Sequence, residues 1–296
     1  MVETVMVAVD GGTASDAALN WSLDRAAHLD VRLDVTTVIE PDGHSANETG
    51  DSYRIRRERA LVSSVARIAP MLPHHVIEKS VIYGHVVDAL VKASRDADLL
   101  VVGNHPTSLL AGMVHGTLPL RLAGQTRCTT VVVPSDWRPS GFGVVVAWDD
   151  DSSADSALIF AASEASRRLE PLTIVHSFTV PSAQIFDADG ATLVFDEALR
   201  YEHIVLAEAA ITVRRAYPQL VVREVLAAGP AAVEVIAAAH GAALFVVGTH
   251  SRGAAGFLLG SVSHAALINM PAPVAVVPAS REPIDILPEV LDEELL

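Results

Sequence analysis

The chain repeats itself at a spacing of about 140 residues, and that repeat constrains its fold more than any other feature. VMVAVDGGTASDAALNWSLDRAA opens at Val5, and VVVAWDDDSSADSALIFAASEAS opens at Val144. Asp10 and Asp149 take the same place in the two segments. Further on, YGHVVDALVKASRDADLLVVGNH matches AGPAAVEVIAAAHGAALFVVGTH, which pairs Gly84 with Gly229 and Gly103 with Gly248. TTVVVPS matches VAVVPAS and pairs Pro134 with Pro278. The offset drifts only from 139 to 145 residues, so few loop insertions separate the copies. Such a period is too long for a solenoid unit and suits a duplicated domain. It predicts one domain at 1–136, a second at 142–281, a Pro/Gly-containing linker at 135–143 and an acidic tail at 282–296.

Within the first copy, short apolar runs alternate with stretches of helical spacing. Strands are predicted at 5–9, 33–39, 76–81, 99–102 and 130–133. Helices are predicted at 15–28, with Ser15 as its cap, at 53–69, at 86–94 and from about 116 to 123. This β-α alternation implies a doubly wound parallel sheet with helices on both faces, twice over. Half of the residues are hydrophobic but only 5% are aromatic, so the core is one of Val, Ala, Leu and Ile, as buried parallel strands require.

Charge and cysteine content narrow the function classes. The net charge is −15, and no basic stripe offsets it, which argues against a nucleic-acid partner. Residues 1–140 contribute 13 basic and 16 acidic side chains, whereas residues 141–296 contribute 8 and 20. The single cysteine, Cys128, forms no internal disulfide; it is expected to be buried and inert. No apolar run is long enough to span a bilayer and no leader opens the chain, so a cytoplasmic protein is the expectation.

An open parallel sheet binds ligands beyond the carboxyl ends of its strands, where the strand order reverses. The residues in question are Asp10-Gly11-Gly12-Thr13 and Asp149-Asp150-Asp151-Ser152 after the first strand of each copy. After the fourth strands come GNHPTSLLAGMVHGT from Gly103 and GTHSRGAAGFLLGS from Gly248. A Gly-containing loop that ends in Gly-Thr or Gly-Ser at a helix start can aim main-chain N–H groups at an anion. The same glycines also serve plain turns. Neither a Walker A lysine nor Gly-x-Gly-x-x-Gly after the first strand occurs. Asp149-Asp150-Asp151 reads either as a Mg²⁺ site completed by phosphates or as a solvated turn capping the next helix. Arg54, Arg56, Arg57 and Arg59 read as a solvated helix face. The twelve histidines include no zinc-ligand spacing, and no nucleophile–base set stands out.

The order apolar strand–Asp, then VVGTHSRGAAGFLLGSVSHAAL, then a closing VAVVP strand resembles the universal stress protein family, over nearly all of 1–281. The tandem form is similar to two-domain members of actinobacteria. The resemblance implies flavodoxin-like domains and ATP bound through a Gly-x2-Gly-x9-Gly-Ser/Thr loop. It implies adenosine contacts at Asp10 and Asp149, with adenine flanked by Ala8 and Val38 in the first copy and by Ala147 and His176 in the second. Val102 and Val247 precede the loops. Phosphate contacts fall on Gly103, Gly116, Thr117 and Leu118, and on Gly248, Ser251, Gly260, Ser261 and Val262.

Both copies depart from the pattern. Pro106 stands where the first copy's second glycine belongs, and proline has no N–H to donate. A lost donor to a charged oxygen costs about 1.5–3 kcal/mol. In the second copy Ser251 keeps a donor, but eight residues rather than nine separate it from Gly260. The second copy is therefore the favoured site. The resemblance further implies that the terminal strands, 130–133 and 274–277, pair across the two copies, and that two chains associate as a homodimer. Two functions remain open: an ATP-binding, non-catalytic stress or dormancy regulator, with Mg²⁺ as a co-ligand, and a nucleotide-free scaffold that kept the fold. A small-molecule enzyme is a weaker third.

Overall fold

Runs such as TVMVA and LLVV have no helical periodicity and bury both faces, so they become central strands. In the computed structural model, residues 2–41, 49–104, 117–179, 188–249 and 259–279 are described. The first copy runs β1 (Glu3–Ala8), α1 (Thr13–His28), β2 (Val31–Ile39), α2 (Gly50–Ile68), β3 (Ile77–Tyr83), α3 (Val86–Ala93), β4 (Leu99–Asn104), α4 (Thr117–Gln125) and β5 (Thr129–Pro134). The second runs β6 (Val144–Ala147), α5 (Ser152–Arg168), β7 (Leu172–Phe178), α6 (Ala188–Ala216), β8 (Val222–Ala228), α7 (Ala231–Ala238), β9 (Leu244–Gly248), α8 (Ser261–Asn269) and β10 (Val274–Val277).

All ten strands form one sheet in the order β3-β2-β1-β4-β5-β10-β9-β6-β7-β8. Within each copy the pairing is parallel; the copies join through an antiparallel pair, β5 with β10. The two terminal strands thus pair as the resemblance implies, and each covers an edge that would otherwise be exposed and apolar. Val131 faces Ala275 in this pair.

Alternation along the strands divides the interior in two. Val5 and Val7 join a core with α1, α2, α5 and α6, whereas Met6 joins another with α3, α4, α7 and α8. Burying a Val or Leu side chain fully stabilises the fold by about 1.5–3 kcal/mol before the entropy of ordering it.

The predicted cap of α1 is corrected. Gly12, not Ser15, is the cap, and Ser15 lies in the first turn, where its hydroxyl donates to the Gly12 carbonyl at 2.9 Å. The Asp10 carboxylate accepts the Gly12 N–H at 2.8 Å, a turn that Gly11 permits by adopting φ +85°. Gly103 has a different reason to be glycine. A Cβ there would lie 2.0 Å from the Ala14 carbonyl oxygen, so β4 could not approach α1.

Candidate functional site

The strand order of the second copy reverses between β6 and β9, and a hollow opens at their carboxyl ends. Its floor is apolar: Ala147 from β6, Val247 from β9, and Ala231 and Val235 from α7. Its rim is polar. Asp149 and Asp151 stand on one side, Ser177 stands at the end of β7, and Gly248 faces the first turn of α8.

Among the described residues no side chain caps the start of α8. Gly260 is the residue before it, and Gly260, Ser261, Val262 and Ser263 all line the hollow. First-turn N–H groups without a protein acceptor form an anion-binding surface. Ser263 holds this end in place, donating its hydroxyl to the Gly248 carbonyl at 2.6 Å.

The acidic turn opposite does two jobs. Asp151 caps α5, its carboxylate accepting the Ala154 N–H at 2.9 Å. Asp149 accepts the N–H of Asp150 at 3.0 Å, and its side chain is 69% exposed, which leaves it accessible from the hollow. Trp148 lines the hollow as well, and its indole N–H points to Asp155 at 3.4 Å. Burial pushes the Asp155 carboxyl up; the Trp148 hydrogen bond draws it down, and Asp150 and Asp151 push it up again. Among the described residues no group of three or more His, Cys, Asp or Glu is arranged to hold a metal ion.

Of the residues the sequence assigns to the second site, the structure brings together Ala147, Asp149, Val247, Gly248, Gly260, Ser261 and Val262. Ser251 lies outside the described residues. His176 does not line the hollow. β2 and β7 keep the offset of 139 that Asp10 and Asp149 have, since Ala8 faces Thr36 in register and Ala147 faces Val175. The counterpart of Val38 is therefore Ser177. A slip of one residue in a strand turns the side chain to the opposite face. His176 is buried on the α5–α6 side, where its ring meets Trp148 edge-on and contacts the Trp148 carbonyl through Nδ1 at 3.1 Å and Glu202 through Nε2 at 2.9 Å. Trp148, Ser177 and Ser263 are lining residues that sequence reasoning missed, whereas Asp151 caps α5 as one of the two sequence readings has it.

In the first copy Val102 and Ala8 pack as Val247 and Ala147 do in the second. Val38 and Val102 are buried, Ala8 packs against the same core and Leu118 lies at the surface on α4. Thr117 opens α4, while Gly116 and Pro106 lie outside the described residues. Over the ends of β1 and β2 lies Arg57 from α2, and here the reading of a solvated arginine face is corrected. Its side chain is 12% exposed. Nε and Nη2 donate to the Val38 carbonyl at 3.1 and 3.0 Å, and Nη1 donates to the Asp10 carbonyl at 3.3 Å. The main-chain acceptors beside the expected adenine position are thus already taken by a guanidinium.

Cys128 is partly buried just before β5, and burial pushes its thiol up, away from the reactive thiolate. No helix among the described residues is long and apolar enough to cross a membrane.

The model of the universal stress protein family matches residues 1–134 and again 143–278. Universal stress protein Rv2005c of Mycobacterium tuberculosis is 28% identical over 286 residues, covering 92% of this chain and 96% of that protein. Rv1996 of the same organism is 27% identical, covering 94% and 96%. Among solved structures, a universal stress protein from Archaeoglobus fulgidus superposes with a TM-score of 0.66 at 18% identity, covering 94% of this chain and 98% of that one, which supports the fold. With the family model matching both halves, the chain belongs to the universal stress protein family, as a tandem member.

Proposed function

We propose that the second copy binds an adenine nucleotide, ATP or a close relative, and that the chain is a nucleotide-responsive stress protein rather than an enzyme. One observation carries the reading: an apolar floor, an accessible carboxylate and an uncapped helix start converge on one hollow at the strand-order reversal. A flat base suits Ala147, Val235 and Val247. Ribose hydroxyls suit Asp149 as acceptor, and phosphate oxygens suit the N–H groups at Ser261 and Val262. Asp149 and Asp150 repel a bare triphosphate, so Mg²⁺ held chiefly by the phosphates is the expected co-ligand.

The second reading, a nucleotide-free scaffold, is favoured for the first copy alone, because Arg57 occupies its strand ends. In this account the chain works as two domains, 1–136 and 142–281, in the cytoplasm, and chains associate in pairs. The nucleotide content of protein purified without added ligand, followed by calorimetric titration with ATP and Mg²⁺, tests the reading. Saturable binding supports it. No binding at about 1 mM ATP, weaker than about −4 kcal/mol, leaves the scaffold for both copies.

A further inference from the structure

An ion pair between two repeats is informative when its partners occupy the same position in each. The offset of 139 residues that relates Asp10 to Asp149 also relates Arg25 to Glu164. These two residues meet. Nη1 and Nη2 of Arg25 donate to Oε2 and Oε1 of Glu164 at 2.5 and 2.7 Å, and the side chains are 1% and 2% exposed. Glu3 takes the remaining face of Arg25 at 2.9 Å and is held in turn by Arg167 at 3.2 Å.

Equivalent residues that touch lie on the two-fold axis relating the copies. The central strands locate that axis independently. Val131 and Ala275, which share the offset of 144 that relates Pro134 to Pro278, face each other across β5 and β10. A union of two like halves from separate chains, built about the same axis, would set Arg25 against Arg25 or Glu164 against Glu164. Either would set like charges against each other in a buried site, with Glu3 alone left to Arg25, or Arg167 and Arg168 at 3.9 and 4.0 Å left to Glu164, in place of the bidentate pair, which is disfavoured. It would also place two valines or two alanines where the packing fits one of each.

We infer that the Arg25–Glu164 pair is a pairing code, selecting the union of the first copy with the second over unions of like copies from two chains. The partner this surface fits is the unlike half, and the linker between the copies makes the half of the same chain the nearest one.

Full-length variants test it. Glu164→Arg puts arginine at both positions and Arg25→Glu puts glutamate at both, so neither chain can form an opposite-charge pair between its own two copies at these positions. Refolded together with distinguishable mass tags, the two are expected to form mixed two-chain species at least about tenfold above the like-chain species seen in either alone, a differential of about 1.4 kcal/mol, read by native mass spectrometry. Mixed species no more abundant than like-chain species overturn the code. Should the charge variants aggregate, Arg25→Met/Glu164→Met decides alone, because it removes the charges together and leaves Glu3 with Arg167. That variant is expected to fold, with a circular dichroism spectrum like the parent's, and to yield several-fold more interchain species on refolding at high concentration. Single-chain pairing as clean as in the parent overturns the inference.

Discussion

Arg57 and Glu202 stand at equivalent positions of α2 and α6 and carry opposite charges. The offset of 145 that relates Gly84 to Gly229 relates this pair, and it also relates the buried Leu61 to the buried Leu206. Arg57 reaches the strand ends of its copy and bonds two carbonyls there. Glu202 stops at His176, on the far face of the sheet from the hollow. One substitution at one helical position thus covers the strand ends in the first copy and spares them in the second.

Arg57→Ala is expected to destabilise the fold by about 1–3 kcal/mol, because buried carbonyl oxygens lose a charged donor. Denaturant unfolding reads the loss. The same variant should leave nucleotide affinity at the second copy unchanged, since α2 is remote from β6 and β9 in the sheet order.

Gly103→Ala is expected to cost about 1–3 kcal/mol or more, as an added methyl in a packed interior does. The clash is with main chain, the Ala14 carbonyl, so side-chain rotation cannot relieve it. A thermal midpoint near the parent's would show that β4 can move away from α1.

Ser177→Leu is expected to fill part of the hollow and abolish most nucleotide binding, while Val38→Leu, its counterpart, leaves binding intact. Affinity by titration, together with a thermal melt to confirm folding, checks both. Equal effects of the two would place the ligand elsewhere.

Much of the architecture was legible in the sequence. The repeat and the alternating runs foretold ten strands, the family resemblance implied the joining edge between 130–133 and 274–277, and each predicted strand of the first copy overlaps its observed one. The candidate site was legible where chain order sufficed: Asp149 lies just past β6, Val247 and Gly248 end β9, and Gly260 precedes α8. It failed where side-chain direction mattered. His176 for Ser177 is a one-residue slip, which period-two alternation amplifies into the wrong face. Arg57 was hidden among four arginines, yet it sits four residues from both Tyr53 and Leu61, on the stripe that buries Tyr53, Leu61, Ser64 and Ile68. Position on that stripe, rather than residue type, was the signal.

Acid should weaken the fold partly through Glu3. Burial pushes its carboxyl up, but the hydrogen bonds and charges of Arg25 and Arg167 more than reverse this and leave it below its ordinary value of 4.5. A depressed carboxyl contributes stability that is present above its unfolded value and is lost as pH falls through the folded one. Thermal midpoints measured downward from pH 7 should therefore fall below about pH 4.5, and Glu3→Gln should flatten that limb while lowering the midpoint at pH 7. An unchanged acid limb in the variant would remove Glu3 from the account.

The central claim is one working nucleotide site per chain, in the second copy. Equilibrium dialysis of the full-length chain against labelled ATP with Mg²⁺, at saturation, measures it directly. The account predicts about one nucleotide bound per chain, lost on Gly260→Glu and kept on Gly103→Ala wherever that variant folds. Two nucleotides per chain, none, or one that survives Gly260→Glu would contradict it.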